Sequence, residues 1–151
     1  MEPRPSRVAY RSASACAIAL SALLVTRSGS ADPKPNVSAS IECAPATEPG
    51  RLRCEVVARA AAPLVLRWGD VEIVSTPDFV TPLRGRIGPR DAVTREPETL
   101  RWALALVAKS RGSGDVHARV RLVACESGGD GGAERCSPYV SEAVGRVLVG
   151  R

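Results

Sequence analysis

Aromatic and histidine residues are scarce in this chain, and their scarcity excludes several kinds of site. Phe, Trp and Tyr together make up 3% of its 151 residues, and His117 is the single histidine. So few aromatic rings cannot form a base-stacking platform for nucleic acid. A His-rich metal site is excluded, and a Ser–His–Asp arrangement could be built only through His117. Phosphate-binding, dinucleotide-binding and Gly-x-Ser-x-Gly motifs are also missing, so we expect no cofactor and a solvated His117.

The sequence also lacks an apolar run long enough to cross a bilayer. The longest, Ala13–Val25, has thirteen residues, which as a helix would reach about 20 Å against a bilayer core of roughly 30 Å. Three arginines precede this run, and small residues ending at Ala31 follow it. This pattern predicts a cleavable secretory signal peptide over residues 1–31. We therefore expect a periplasmic or secreted protein with no transmembrane anchor after cleavage.

Much of the basic charge belongs to that signal segment. The chain has 21 Lys and Arg residues against 16 Asp and Glu residues, of which residues 1–31 hold four and one. The remaining 17 basic and 15 acidic residues are nearly balanced, and the arginines are spread along the chain. A nucleic-acid partner is therefore not expected. We predict a short leader over residues 32–36 and one domain over residues 37–151.

Alternation of apolar and polar residues is what this chain has in abundance. It predicts an all-β fold, an immunoglobulin-like antiparallel β-sandwich. Gly69-Asp70 is expected to form a turn within its segment, and the Gly-rich stretch Ser127–Ala133 a hairpin loop. The predicted strands are Val37–Cys43, Arg51–Arg59, Leu64–Ser75, Phe79–Ile87, Thr99–Lys109, Val116–Cys125 and Tyr139–Val149.

Two of these segments also fit a helical pattern. Leu100–Val107 follows Pro97 and contains several alanines, which favour helix. Ser137–Leu148 begins with a Ser-Pro pair that suits a helix start. Helix therefore remains an alternative for both segments.

The cysteines form two equally spaced pairs. Ten residues separate Cys43 from Cys54, and ten separate Cys125 from Cys136, while Cys16 lies in the signal segment. An even number of cysteines in a small exported domain predicts disulfides. Cys43 and Cys54 lie on the apolar faces of their strands, whereas Cys125 has the opposite parity and should face outward or lie at a strand end. We therefore predict the bridges Cys43–Cys54 and Cys125–Cys136, although spacing alone allows three connectivities.

Three roles are open for these cysteines. As structural bridges, each would contribute about 2.8 kcal/mol in the chain-entropy account. As a redox site, Cys125–Cys136 would have Arg119, Arg121 and Arg135 near it in sequence, and cations favour the reactive thiolate. Zinc binding by all four cysteines is disfavoured because the close spacing of common zinc sites is missing. We expect no metal.

The second cysteine pair and its flanks resemble a known family. The run Val120–Cys125, then Cys136-Ser137-Pro138 and a final apolar strand is similar to the amino-terminal periplasmic domain of the thiol–disulfide interchange protein DsbD. The resemblance implies an immunoglobulin-like sandwich in which Cys125 and Cys136 pass reducing equivalents to periplasmic partners. The chain differs from that family in its longer loop, in its single Pro after the second cysteine, and in lacking an assignable aromatic cap, for which Phe79 is the one Phe available.

The remaining polar residues suggest no catalytic group. The acidic pairs Glu96 with Glu98 and Asp70 with Glu72 are expected to be solvated surface carboxylates. We therefore predict a non-enzymatic binding or structural module of the bacterial envelope. Its partner would be another envelope protein, bound through sheet-edge pairing. The alternative is a thiol–disulfide exchange domain that uses Cys125 and Cys136 as an oxidoreductase.

Overall fold

A computed structural model describes residues 36–126 and 132–150, and these residues form nine strands. The expected signal peptide, almost all of the leader and much of the Gly-rich segment lie outside the described residues. The strands are β1 (Val37–Cys43), β2 (Gly50–Ala60), β3 (Leu64–Ser75), β4 (Val80–Pro82), β5 (Arg86–Ile87), β6 (Ala92–Glu96), β7 (Thr99–Ala108), β8 (Gly112–Glu126) and β9 (Arg135–Val149), with one 3₁₀ turn at Pro89–Asp91. The described ranges contain no helix long and apolar enough to cross a membrane.

The strands form two antiparallel sheets. The first has the order β1-β2-β7-β4, with β6 also paired to β7, and the second has the order β5-β3-β8-β9. This is the immunoglobulin arrangement of four strands against three, in which β4 and β6 share the fourth position of the first sheet and β5 extends the second. The predicted all-β sandwich fold is confirmed.

The core lies between the inner faces of the two sheets. On β7, Trp102, Leu104 and Leu106 are completely buried, and Val120 and Leu122 on β8 lie in the same core cluster. Because successive side chains of a strand point to opposite faces, the period-two pattern places these residues inside and Arg121, between Val120 and Leu122, outside. The same alternation excludes the helical alternatives, since Leu100–Val107 lies in β7 and Ser137–Leu148 lies in β9.

The segment Phe79–Ile87 is not one strand, contrary to the prediction. It contains β4, which pairs with β7 in the first sheet, and β5, which pairs with β3 in the second. Pro82 ends β4, and a proline inside a longer strand would remove a ladder hydrogen bond. The chain therefore passes from one sheet to the other between Leu83 and Gly85.

The expected turn at Gly69-Asp70 is also wrong, because β3 continues through both residues. Gly69 is needed for packing and not for turning: a Cβ atom placed there would lie 2.7 Å from Cδ2 of Leu122. The pairing of β3 with β8 has two irregularities, one between Ile73 and Ser75 and one between Leu66 and Trp68, where Arg67 is the extra residue of a bulge.

The free edge of β9 is partly protected. Backbone hydrogen bonds join Ala46 N to Leu148 O (3.0 Å) and Gly150 N to Ala46 O (2.8 Å). The even-numbered residues of β9 therefore direct their backbone N–H and C=O groups away from β8. Pro138 is also even-numbered, and as a proline it has no N–H to point outward. Edge prolines discourage strand addition. Pro138 thus leaves this edge less suited to strand addition than a fully open edge.

Candidate functional site on the outer face of the second sheet

Both disulfides join residues that lie directly opposite each other on neighbouring strands. Cys43 of β1 bonds to Cys54 of β2 with an S–S distance of 1.99 Å, and Cys125 of β8 bonds to Cys136 of β9 at 2.06 Å. The predicted connectivity is confirmed. Strand parity and hairpin proximity were enough to predict it, because a local bridge requires no change of face.

The two bridges lie in different surroundings. Cys54 belongs to the core cluster, and Cys43 packs against it. Cys125 has outward parity near the end of β8 as predicted, yet it is 0% exposed and lies outside the core cluster. On the neighbouring strands, Cys125 lies opposite Val65 of β3 and opposite Cys136 of β9. Cys136 is exposed. One sulfur of this bridge therefore belongs to an exposed residue and the other to a buried one.

A carboxylate lies beside this second bridge. An oxygen of Glu134 and the sulfur atoms of Cys125 and Cys136 all lie within 4.8 Å of one another. Arg67 holds this carboxylate, donating from Nε at 2.9 Å and from Nη2 at 2.7 Å, both to Oε1. Sequence analysis found neither residue. Glu134 precedes Cys136 by two residues, which is a signal that the sequence contains, but the bulge that contains Arg67 was not predictable.

Two of the three arginines expected near this bridge, Arg119 and Arg121, are engaged elsewhere. Arg119 donates to Glu142 at 2.9 Å, and this hydrogen bond raises the pKa of Arg119 above its usual value. Arg121 binds Asp70 through two hydrogen bonds of 2.8 and 2.6 Å. The cation that contacts the carboxylate beside the sulfurs is instead Arg67.

Asp70 is not a solvated surface carboxylate, contrary to the prediction. Its side chain is 2% exposed although it lies on the outer face. Arg121 of β8 covers it from one side, and Arg86 of β5 donates to it from the other, with Nε at 2.9 Å. Glu96 and Glu98 are exposed as expected. The two acidic pairs thus offer no common cleft for acid–base chemistry.

An exposed apolar patch lies next to the second disulfide. Trp68, Val123 and Pro138 face each other across β3, β8 and β9, and Val140 follows Pro138 on the same face of β9. Trp68 is 38% exposed and Val140 is 64% exposed. We call these four residues the apolar patch. It is bordered by the disulfide on one side and by the Asp70 cluster on the other.

Two further residues singled out from the sequence lie away from this patch. Phe79 packs against Gly112, 3.0 Å from a Cβ atom placed there, at the opposite end of β8 from Cys125. It therefore does not cap the disulfide. His117 is exposed on β8, as expected for a solvated histidine.

The outer face of the first sheet carries a recess of about 480 Å³. Its lining includes Glu42, Arg53, Glu55 and Val93. Glu55 is already paired with Arg101 at 3.1 Å, and the Cys43–Cys54 disulfide and Trp102 also line the recess. The recess brings together no nucleophile and base, so it does not suggest a reaction.

Comparisons with known proteins give no family. No family model matches the sequence, and no curated protein matches it. Among solved structures, the chain is similar to the crystal structure of BslA, a bacterial hydrophobin, with 14% identity, a TM-score of 0.39, and coverage of 78% of this chain and 97% of that one. A likeness at that TM-score carries no argument about function. The resemblance to the DsbD domain stays a prediction.

Proposed function

We propose that this protein is an exported, non-enzymatic binding module of the bacterial envelope that contacts a partner protein through the outer face of its second sheet. The observation that carries the proposal is the apolar patch. Exposed apolar side chains that are contiguous across several strands commonly mark protein interaction surfaces. Trp68 supplies the large aromatic side chain that often dominates such contacts.

The charges around the patch favour an apolar protein surface as the partner. Asp70 is paired with Arg86 and Arg121, and Glu134 with Arg67 on the other side. Because each of these three arginines is held by a carboxylate of the same face, a nucleic acid or an acidic polymer finds no group of unpaired cations there. A neutral, partly aromatic protein surface gains from burying the patch without leaving an unpaired charge.

Site-specific photo-crosslinking in cells tests this proposal. A photoreactive residue at Val140 should capture the partner, and Trp68→Arg should abolish that product because it places a charge in the apolar contact. The matched control is Val93, which is 58% exposed on the first sheet and should give no Trp68-dependent product. Equal products at Val140 and Val93, or a product at Val140 that survives Trp68→Arg, would contradict the proposal.

A second candidate function is thiol–disulfide exchange by Cys125–Cys136. The observation that favours it is the exposure of Cys136, since exchange requires a thiolate to reach a disulfide sulfur. In the other bridge Cys54 is buried and Cys43 is half-buried, so neither of its cysteines is as exposed as Cys136.

A redox titration with alkylation and mass spectrometry of each pair separates the two functions. For exchange, Cys125–Cys136 should titrate near about −180 to −230 mV while Cys43–Cys54 remains oxidised. A Cys125–Cys136 potential below about −300 mV would identify a structural bridge and refute exchange. Binding by the apolar patch does not depend on this result.

A further inference from the structure

Three potential metal-binding groups converge on the outer face of the second sheet. Cys125 and Cys136 are directly opposite each other, and Glu134 precedes Cys136 by two residues. Their ligand atoms lie within 4.8 Å of one another. In a tetrahedral zinc site with Zn–S bonds of about 2.3 Å, the sulfurs are roughly 3.8 Å apart. Neighbouring strands can meet that spacing once the S–S bond is broken.

We propose that reduction of Cys125–Cys136 creates a site for one zinc-like divalent cation, bound by the two thiolates and the Glu134 carboxylate. A dithiol reductant gives two electrons and two protons to the disulfide and becomes a disulfide itself. Binding of the cation then releases the two thiol protons to solvent. In the oxidised protein the sulfurs are bonded to each other and cannot act as thiolate ligands.

Arg67 orients the Glu134 carboxylate through only one of its two oxygens. Both of its hydrogen bonds end on Oε1 of Glu134, so Oε2 can approach the cation while Arg67 stays in place. A hydrogen-bonded carboxylate of this kind is a typical arrangement around a metal ligand. Arg67 is therefore a positioning residue for Glu134.

The other cysteine pair does not share these features. Among the described residues, one cluster contains three possible metal ligands, and it consists of Cys125, Glu134 and Cys136. Cys43 and Cys54 lie in the first sheet against the core. The four cysteines are thus divided between two sheets, which also argues against a four-cysteine zinc site. Cys43–Cys54 is an internal control for thiol binding, because among the described residues no carboxylate oxygen groups with both of its sulfurs within 4.8 Å.

Cobalt binding to the full chain tests the proposal. In a Cys16→Ser, Cys43→Ala, Cys54→Ala background, reduced protein should bind one Co²⁺ with a thiolate-to-cobalt charge-transfer band, and Zn²⁺ should displace it. The oxidised protein should show no such band. Glu134→Gln should weaken the affinity at least about tenfold, and Arg67→Met about tenfold, since loss of supporting groups has effects of this size.

A matched variant keeps the test sharp. The Cys16→Ser, Cys125→Ala, Cys136→Ala chain retains the other pair and should bind at least about tenfold more weakly after reduction. If either background fails to fold, partial reduction of the Cys16→Ser chain gives the same comparison, with mass spectrometry identifying the reduced pair. No cobalt band after reduction, equal binding by both pairs, or binding unaffected by Glu134→Gln would each overturn the proposal. None of these outcomes bears on partner binding by the apolar patch.

Discussion

Among the residues that the structure describes, Asp70 is the one charged residue that is buried. A carboxylate removed from water is tolerated only when opposite charges and hydrogen bonds replace the lost hydration. Arg86 and Arg121 provide both, because their guanidinium groups reach over the outer face while their alkyl stems shield it. One carboxylate thereby ties together three strands of the second sheet, β5, β3 and β8.

Replacing Asp70 with Asn should destabilise the fold by about 2–3 kcal/mol, because it leaves two guanidinium groups close together without their counter-charge. The cost is held below that of a fully buried ion pair, since both arginines reach solvent. Urea unfolding at neutral pH measures it. Asp115→Asn removes an exposed partner of Arg146 and should change stability by less than about 1 kcal/mol. Equal costs for the two variants would show that burial of Asp70 is unimportant.

At the scale of elements, the approach of β1 to β9 closes one side of the sandwich. Ala39 N donates to Oγ of Ser141 at 3.1 Å, and Ala46 forms a parallel bridge to Val149. Gly145 permits this contact, because a Cβ atom placed there would overlap Cγ2 and Cβ of Ile41. A side chain at this position would have to displace β1 or β9.

Gly145→Ala should therefore cost about 1–3 kcal/mol, the usual range for overpacking in a core. Thermal and urea unfolding measure the change. Gly85→Ala is the matched control, since a Cβ atom there meets nothing within 4 Å, and its effect should be close to zero. Combining Gly145→Ala with Ile41→Ala should cost less than the sum of the single changes. If the free-energy costs of the two changes simply add, the contact between position 145 and Ile41 is not the source of the destabilisation.

At the scale of the whole molecule, the two disulfides contribute a large part of the stability. Each closes a separation of 11 residues, worth about 2.8 kcal/mol in the chain-entropy account, against a typical net stability of roughly 5–15 kcal/mol. The bridges differ in packing, since Cys54 is part of the core and Cys125 is not. Their removal should differ in cost accordingly.

We expect Cys43→Ala with Cys54→Ala to destabilise the protein by more than Cys125→Ala with Cys136→Ala. Both pairs lose a similar loop constraint, but the first also leaves a cavity in the core, for which about 1 kcal/mol more is expected. Urea unfolding of the two double variants, each compared with the oxidised wild-type chain, gives the order. A larger loss for Cys125 and Cys136 would mean that the outer-face bridge is the more important one for stability.

Sequence patterns predicted most of the fold but only part of the candidate site. The cysteine pairs were predictable because their partners lie on adjacent strands of one hairpin. The division of Phe79–Ile87 into two strands was not predictable, because short strands carry little periodicity. Contacts with residues distant in sequence determine which sheet each of them joins. The surroundings of Cys125–Cys136 were only half predictable: Glu134 is local, whereas Arg67 comes from β3 through a bulge.

The sequence by itself determined the all-β class, the faces of the long strands and the disulfide connectivity, because alternation and hairpin proximity are local properties. Only the tertiary structure decided which side chains meet across strands. The pairing of β3 with β8 and of β8 with β9 assembles the apolar patch, encloses Asp70 between two arginines and sets Arg67 on Glu134. These contacts depend on register between distant segments, and a shift of one residue would turn each side chain to the other face.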